Sequence, residues 1–432
     1  MTRAAAVLAG AELHERSLRN GLQILVAERH DAPVVSVLLY YRVGARNERE
    51  HEAGVSHFLE HMMFKGTESI GKGQVDVVTT VLGGTNNAWT AHDHTAYWFE
   101  FASDRWEQAL EIEADRMRGL LLQDDEFEAE KAVVLEELAM SEDDPWRELS
   151  REVAEAVFPG HPYGRPVIGY ADTLRRLTAD DMRSYYDRWY NPSNAVLVVC
   201  GDVTESAVVK AARKHFGGLP AEPRGPLYEP YRRELGEPKA EKRMICRWDD
   251  EARRLCMAWP TARFGTDEDY VFDLLTVVLA SGRRSRLYHR LIQEEGLATS
   301  VSVSNDTRVE SGALWLYAEC ADGVEPAVLE AAIDEELDRL RSELVTKKEL
   351  DRAIAMLLAS EAHDHETVTD LAEDIGSFAA DGDWRLAIET EERLRAIRPN
   401  FVRETARRFL GRERRVTGWS LPEGVELGVA GA

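Results

Sequence analysis

The sequence predicts an α+β fold of two homologous α/β domains, each a mainly antiparallel sheet flanked by helices. Three observations predict it. The chain has 432 residues, too many for one ordinary core and suited to two domains of roughly 200 residues each. Short strand-like runs are flanked by clusters of helical periodicity, which favours α+β layers over a doubly wound parallel sheet. Finally, each half ends in the same way, on a helix leading into a strand, as an internal duplication would leave it.

The elements follow in order. Gly21 to Glu28 and Val34 to Val43 read as strands, rich in Val, Leu and Tyr and separated by Asp31-Ala32-Pro33. A helix is predicted from Gly54 to Phe64 and a second from Val75 to Leu82, stopped by Gly83-Gly84. Asn87 to Ala91 and Thr95 to Phe101 read as strands, and helical patterns occupy 103–121, 124–142 and 147–157. A helix over Ala179 to Trp189 leads through Asn191-Pro192 into the strand Ala195 to Cys200. The stretch Leu219 to Ala240 carries Pro220, Pro223, Pro226, Pro230 and Pro238 with little apolar periodicity, as a linker does. In the second half a strand pair over 243–260 and a helix from Glu268 echo the opening of the first. The helix Asn400 to Leu410 and strand Arg415 to Ser420 echo its end. The boundaries are therefore 12–218, a linker at 219–240, and 241–425.

Composition narrows the function. Hydrophobic residues at 44 % and charged residues at 30 % are a globular balance, and no apolar run approaches the roughly 20 residues that span a bilayer. The net charge of −25 excludes nucleic acid, whose binding needs a basic face. It is compatible with cationic peptides as partners, and an acidic surface kept for solubility is the simpler reading. Cys200, Cys246, Cys256 and Cys320 are scattered without metal-type spacing. Near the start, Arg3 precedes the apolar stretch Ala4 to Ala9, and Ala9-Gly10-Ala11 resembles a small-x-small cleavage site. The apolar part is shorter than a working signal core. Read as the remnant of an export signal, it favours a periplasmic location; read as a tail, it allows a cytoplasmic one.

The informative stretch is His57-Phe58-Leu59-Glu60-His61. On a helix, positions i, i+3 and i+4 share a face, so two imidazoles one turn apart converge on one ion with a carboxylate beside them. H-x-x-E-H inverts the H-E-x-x-H order, and both are metallopeptidase signatures. As a bare five-residue match it is equally a helix with two incidental histidines. A catalytic zinc wants three protein ligands and an open position. The helical segment Glu130 to Glu137 offers one, with Glu130 and Glu137 two turns apart on one face and Glu136 rotated by about 100°. Alone, that segment reads as a solvated acidic face.

At this point the sequence resembles the inverted-zincin peptidases that include pitrilysin, insulin-degrading enzyme and the mitochondrial processing peptidase. Val43-Gly44-Ala45-Arg46-Asn47-Glu48 and Gly54-Val55-Ser56-His57 through Met62-Met63-Phe64-Lys65-Gly66-Thr67 match that family's signature almost unbroken. Gly83-Gly84 through Asn87-Ala88-Trp89-Thr90, His161-Pro162-Tyr163-Gly164 and Val167-Ile168-Gly169 are similar too. The resemblance covers the first half and, more faintly, the second. It implies one Zn2+ per chain, held by His57, His61 and Glu137, the last selected by the family's ligand spacing. Glu60 would be the general base for the attacking water, and Glu130, the other catalytic carboxylate, would fix a ligand imidazole. Asn87 and Ala88 would lie on an edge strand to which a substrate peptide adds as a further β-strand. His92 and His94 read as strand-end residues near the cleft.

The second domain lacks the metal motif and departs from the family at one place. Ser285 to Val301 resembles the family's C-terminal helix and strand, where active members carry an arginine and a tyrosine that reach the substrate; Ile292 and Thr299 stand there instead. Arg286, Tyr288 and Arg290 are near but out of register, and one of them could compensate. The resemblance otherwise implies a bacterial, half-length, zinc-bearing endopeptidase subunit. Such a subunit pairs with a homologue that carries the Arg/Tyr pair, and the heterodimer encloses a cavity for small proteins or unfolded peptides. The alternatives are a non-catalytic structural subunit and a peptide-binding partner of the same family.

Overall fold

A computed structural model describes residues 6–220 and 240–427. The chain divides into two compact units. Among the described residues, the first takes in 6–139, 166–220 and 362–389; the second takes in 140–165, 240–361 and 390–427. The linker expected over 219–240 falls almost wholly outside the described residues.

The first unit is built on a seven-stranded sheet. Its strands are β1 (Ala6–Leu8), β2 (Ala11–Ser17), β3 (Gln23–Glu28), β4 (Val34–Tyr41), β5 (Thr85–Thr90), β6 (Thr95–Ala102) and β7 (Ala195–Gly201), in the order β1-β2-β3-β7-β4-β6-β5. β7 lies parallel to β3 and antiparallel to β4. Successive residues of β4 face opposite sides. Val37, Leu39 and Tyr41 join a core with Phe58, Leu59, Leu110 and Tyr186, whereas Leu38 and Tyr40 join Leu371, Ala372 and Ile375 of the helix Val368–Asp381. That helix presses directly on Tyr40: a Cβ at Gly376 would lie 2.1 Å from its ring.

The second unit repeats the plan with five strands, β8 (Lys242–Arg247), β9 (Arg254–Thr261), β10 (Ala298–Asp306), β11 (Gly312–Cys320) and β12 (Val416–Leu421). Its order, read from β8, is β8-β12-β9-β11-β10, which is the order β3-β7-β4-β6-β5 over again. β12 is parallel to β8 and antiparallel to β9, as β7 is to β3 and β4. One face of this sheet carries the core around Leu255, Trp259, Leu275 and Ile333; the other is covered by Leu149, Val153 and Val157 of the helix Pro145–Val157. Each half of the sequence thus lends one covering helix to the other half's sheet. The duplication expected from sequence is a duplication of sheet topology, with one helix exchanged.

Two local readings differ from the structure. The strands expected as a pair over 243–260 are not neighbours, because β12 sits between them. And Ala9-Gly10, expected at a cleavage-like site, is the turn of the β1–β2 hairpin, with positive φ of 47° and 82° at the two residues. A two-residue hairpin loop needs that left-handed backbone pair.

Candidate metal centre

The helix Val55–Met62 is fixed before its chemistry begins. Its N-cap, Gly54, has φ 95°, and a Cβ there would lie 2.5 Å from the Ile168 carbonyl oxygen. Only glycine suits both demands. The buried Glu48 carboxylate accepts the Gly54 N–H at 2.9 Å and the Ser56 N–H at 2.8 Å. It satisfies two otherwise orphaned donors of the first turn. Val55, Phe58, Leu59 and Met62 are buried, the i, i+3, i+4, i+7 face of an amphipathic helix. That leaves His57, Glu60 and His61 together on the opposite face.

The helix Asp124–Glu142 brings the third group. Phe127, Glu130, Val134 and Leu138 form its buried stripe, and Phe127 stacks on Phe58 with ring centroids 4.7 Å apart. Glu137 stands one turn beyond Val134, beside that stripe. Its Oε1 is 3.7 Å from His57 Nε2 and its Oε2 is 3.5 Å from His61 Nε2. The ligand atoms of the three residues lie within 4.8 Å of one another. Those separations exceed a hydrogen bond but match donors placed around one ion, since bonds of 2.0–2.2 Å in tetrahedral array set ligands roughly 3.3–3.6 Å apart. The residues therefore fit zinc. Glu136 is exposed and takes no part in the cluster.

Electrostatics sort the surrounding groups. Burial, with the neighbouring His61 imidazole, pushes His57 down to about 4, so it stays neutral with a lone pair to offer. Glu130 Oε1 lies 3.0 Å from His61 Nδ1 and its Oε2 lies 2.5 Å from the Lys65 ammonium. Burial raises the Glu130 carboxyl, but the Lys65 and His61 contacts outweigh it and hold the group below its ordinary value. The His57 outer nitrogen, Nδ1, is buried without a hydrogen-bond partner among the described residues. Glu60 is raised by burial and by the nearby Glu137, against an opposing hydrogen bond from Thr90; the Thr90 hydroxyl donates to Glu60 Oε2 at 2.5 Å.

Asn87 and Ala88 lie on β5, the outermost strand of the first sheet. The Ala88 N–H donates to the Asn87 side-chain oxygen at 2.9 Å. The buried His94 has its Nδ1 2.8 Å from the partly buried Asp381 and holds the helix Val368–Asp381 to the sheet. Sequence reasoning assigned no role to Thr90 or Lys65, although both lie in quoted motifs. Lys65 follows His61 by one turn, and the period of two along β5 puts Thr90 on the same face as Ala88, which packs into the core under the His57 helix.

In the second unit, Ile292 packs against the core from a short π-helical stretch, Tyr288–Glu294, and the Thr299 hydroxyl on β10 donates to Glu319 at 3.2 Å. Arg286 is paired with Glu349 at 2.8 Å, and Arg290 with Glu295 and Glu335 at 2.7 and 2.6 Å.

Comparison with known proteins agrees with this architecture. Residues 23–170 match the family model described as insulinase (peptidase family M16), and residues 176–357 match the peptidase M16 inactive domain. A protein of Rickettsia felis described as an uncharacterized zinc protease is 30 % identical over 395 residues, covering 91 % of this chain and 93 % of that one. A protease of Helicobacter pylori has the same fold, with a TM-score of 0.91 at 24 % identity over 95 % of this chain and all of that one. The periplasmic protease PqqL of Escherichia coli aligns with a TM-score of 0.79 at 19 % identity, over 98 % of this chain and 48 % of that chain. The class so defined is a metallopeptidase family whose fold is two copies of one α/β unit. Within it, the chain belongs to the insulinase family, peptidase family M16. Among the described residues, no helix is long and apolar enough to cross a membrane.

Proposed function

We propose that this chain is a periplasmic zinc endopeptidase and the metal-bearing subunit of a heterodimer that hydrolyses small proteins or unfolded peptides in an enclosed cavity. One observation carries the reading: both imidazole Nε2 atoms face the two oxygens of Glu137, while Glu60 stands alongside, raised by burial and tied to Thr90.

Zinc held by His57, His61 and Glu137 supplies Lewis-acid polarisation of the scissile carbonyl and an acidified water. The chain's own residues do the rest. Glu60 takes the proton of the attacking water on its free oxygen and passes it to the leaving amine. A carboxylate lifted by burial is a better base near neutral pH than an exposed one. Thr90 prevents Glu60 from rotating away. Glu130 accepts the His61 Nδ1 proton and so fixes the tautomer that leaves Nε2 free. The outer edge of β5 at Asn87 and Ala88 receives the peptide as an added strand, the Asn87 side chain yielding the Ala88 N–H to a substrate carbonyl.

The test separates metal holding from catalysis. Glu60→Gln should retain zinc through dialysis, as measured by plasma emission, while cleavage of a fluorogenic peptide by the assembled enzyme falls by about 10²–10⁴. A fully active Glu60→Gln protein, or one that loses its zinc, rules this assignment out.

A further inference from the structure

The outer hairpin of the first unit carries a second cluster with the same spacing. Glu12 and His14 lie two residues apart on β2 and so share a face. Glu12 pairs in register with Glu28 of β3. The ligand atoms of Glu12, His14 and Glu28 lie within 4.8 Å of one another. His14 Nε2 is 3.6 Å from Glu28 Oε1 and 3.9 Å from Glu12 Oε2, and this nitrogen is buried with no hydrogen-bond partner among the described residues.

Its other nitrogen, Nδ1, lies 3.6 Å from Glu205 Oε2, and Glu205 is itself held by Arg16 at 2.6 Å. The backbone N–H of Glu205, at the start of the helix Glu205–Phe216, donates to Glu28 Oε1 at 2.6 Å and orients that carboxylate. One nitrogen therefore faces a carboxylate paired with Arg16, and the other faces the carboxylates of Glu12 and Glu28.

A hydrogen-bonded histidine–carboxylate pair closes to about 2.7–3.2 Å, as His30 does with Asp202 at 2.8 Å. At His14 the separations instead resemble the 3.5 and 3.7 Å between Glu137 and its two histidines, the distance between ligands of one ion. One nitrogen and two carboxylate oxygens suit zinc or a similar divalent transition ion.

We infer that Glu12, His14 and Glu28 form a second divalent-metal site, selective for a zinc-like ion and remote in sequence from the His57 centre. Glu12 is 62 % exposed on its side chain, so this site is open to solvent, exchanges its ion readily and binds more weakly than a buried one. When filled, it ties β2 to β3 and, through Glu205, to the helix behind them. His30, whose Nε2 is 3.7 Å from the other Glu28 oxygen, stands next to it.

The experiment is zinc loading of the full chain at buffered free Zn2+, with bound metal counted at each concentration. The wild-type chain should pass from one to two zinc ions as free Zn2+ rises, whereas His14→Gln and the exposed Glu12→Gln should gain one ion fewer. Glu137→Gln, with the first centre weakened, should still load the outer site, so failure of either centre is separable from failure of the other. A zinc-dependent rise in unfolding temperature should accompany the second ion and vanish in His14→Gln. Equal loading of wild type, His14→Gln and Glu12→Gln overturns the inference.

Discussion

The hydroxyl of Thr90, on the outermost strand of the first sheet, donates to Glu60 Oε2 at 2.5 Å. The bond couples the strand proposed to receive substrate to the proposed general base. It opposes the upward push of burial on Glu60, so its loss raises that carboxyl further. Thr90→Val should therefore move the acidic limb of the kcat/KM profile to higher pH, because the base must be ionised to act. A hydrogen bond to a charged group contributes about 1.5–3 kcal/mol, which sets the expected loss in kcat at about tenfold or more. Zinc content should stay unchanged. An unmoved acidic limb contradicts the coupling.

Glu137 and Glu136 make a matched pair for testing the metal assignment. Both are exposed, yet only Glu137 lies among the imidazoles. Glu137→Gln should weaken zinc retention by more than the 10–100-fold typical of losing a residue that merely orients a ligand. Glu130→Gln should fall within that range, and Glu136→Gln should not change retention. Equal loss from the Glu136 and Glu137 variants in competition with a chelator removes Glu137 from the site.

Each helix's share of the candidate centre was legible locally, whereas the meeting of the two helices was implied only by the family resemblance. His57, Glu60 and His61 share a face by helical period, and Glu130 and Glu137 do so by the same rule. What escaped notice depends on long-range pairing. Nothing near Val34 announces that Ala195–Gly201 inserts between it and β3, and the equivalent insertion of β12 separated two strands that read as neighbours. The exchange of the helices Pro145–Val157 and Val368–Asp381 is likewise invisible locally, since each is amphipathic whichever sheet it covers. Thr90 was missed because a threonine in a strand has good intrinsic reason to be there, and its partner lies 30 residues away.

A buried acidic pair gives the second unit a pH dependence. Asn305 donates to Asp269 and to Asp273, at 2.9 Å each. Burial, then the neighbouring Asp269, pushes Asp273 up to about 7. A carboxyl raised on folding favours the protonated chain. Its contribution to stability is whole below the unfolded value near 4 and is lost as pH rises through about 7. Asp273→Asn keeps an oxygen for Asn305 and removes the charge. It should raise the unfolding midpoint at pH 8 by several degrees, on the order of 4 kcal/mol for a rise of roughly three pKa units at 1.36 kcal/mol each, and change it little at pH 5. A variant less stable at pH 8 than wild type contradicts this account of the pair.

The last prediction concerns assembly and rests on Ile292 and Thr299. Hydrolysis of an amide needs donors where charge develops on the carbonyl oxygen, and removing one such donor costs about 10²–10³ in rate. Ile292 supplies none, and the Thr299 hydroxyl is short and donates to Glu319. The nearby cations are committed too, Arg286 to Glu349 and Arg290 to Glu295 and Glu335. Moving Arg286 would leave the partly buried Glu349 without its partner, and moving Arg290 would break its contact with the buried Glu336 at 3.4 Å. The isolated chain should therefore cleave peptides weakly or not at all, and adding a homologue that carries the Arg/Tyr pair should raise activity by about 10² or more. Titration with that partner, following a fluorogenic peptide alongside size-exclusion mass, should show activity and heterodimer rising together. Full activity from the monomer, unchanged by partner, would instead assign the missing donors to Arg286, Tyr288 or Arg290, and Glu349→Gln, by releasing Arg286, would then alter the rate.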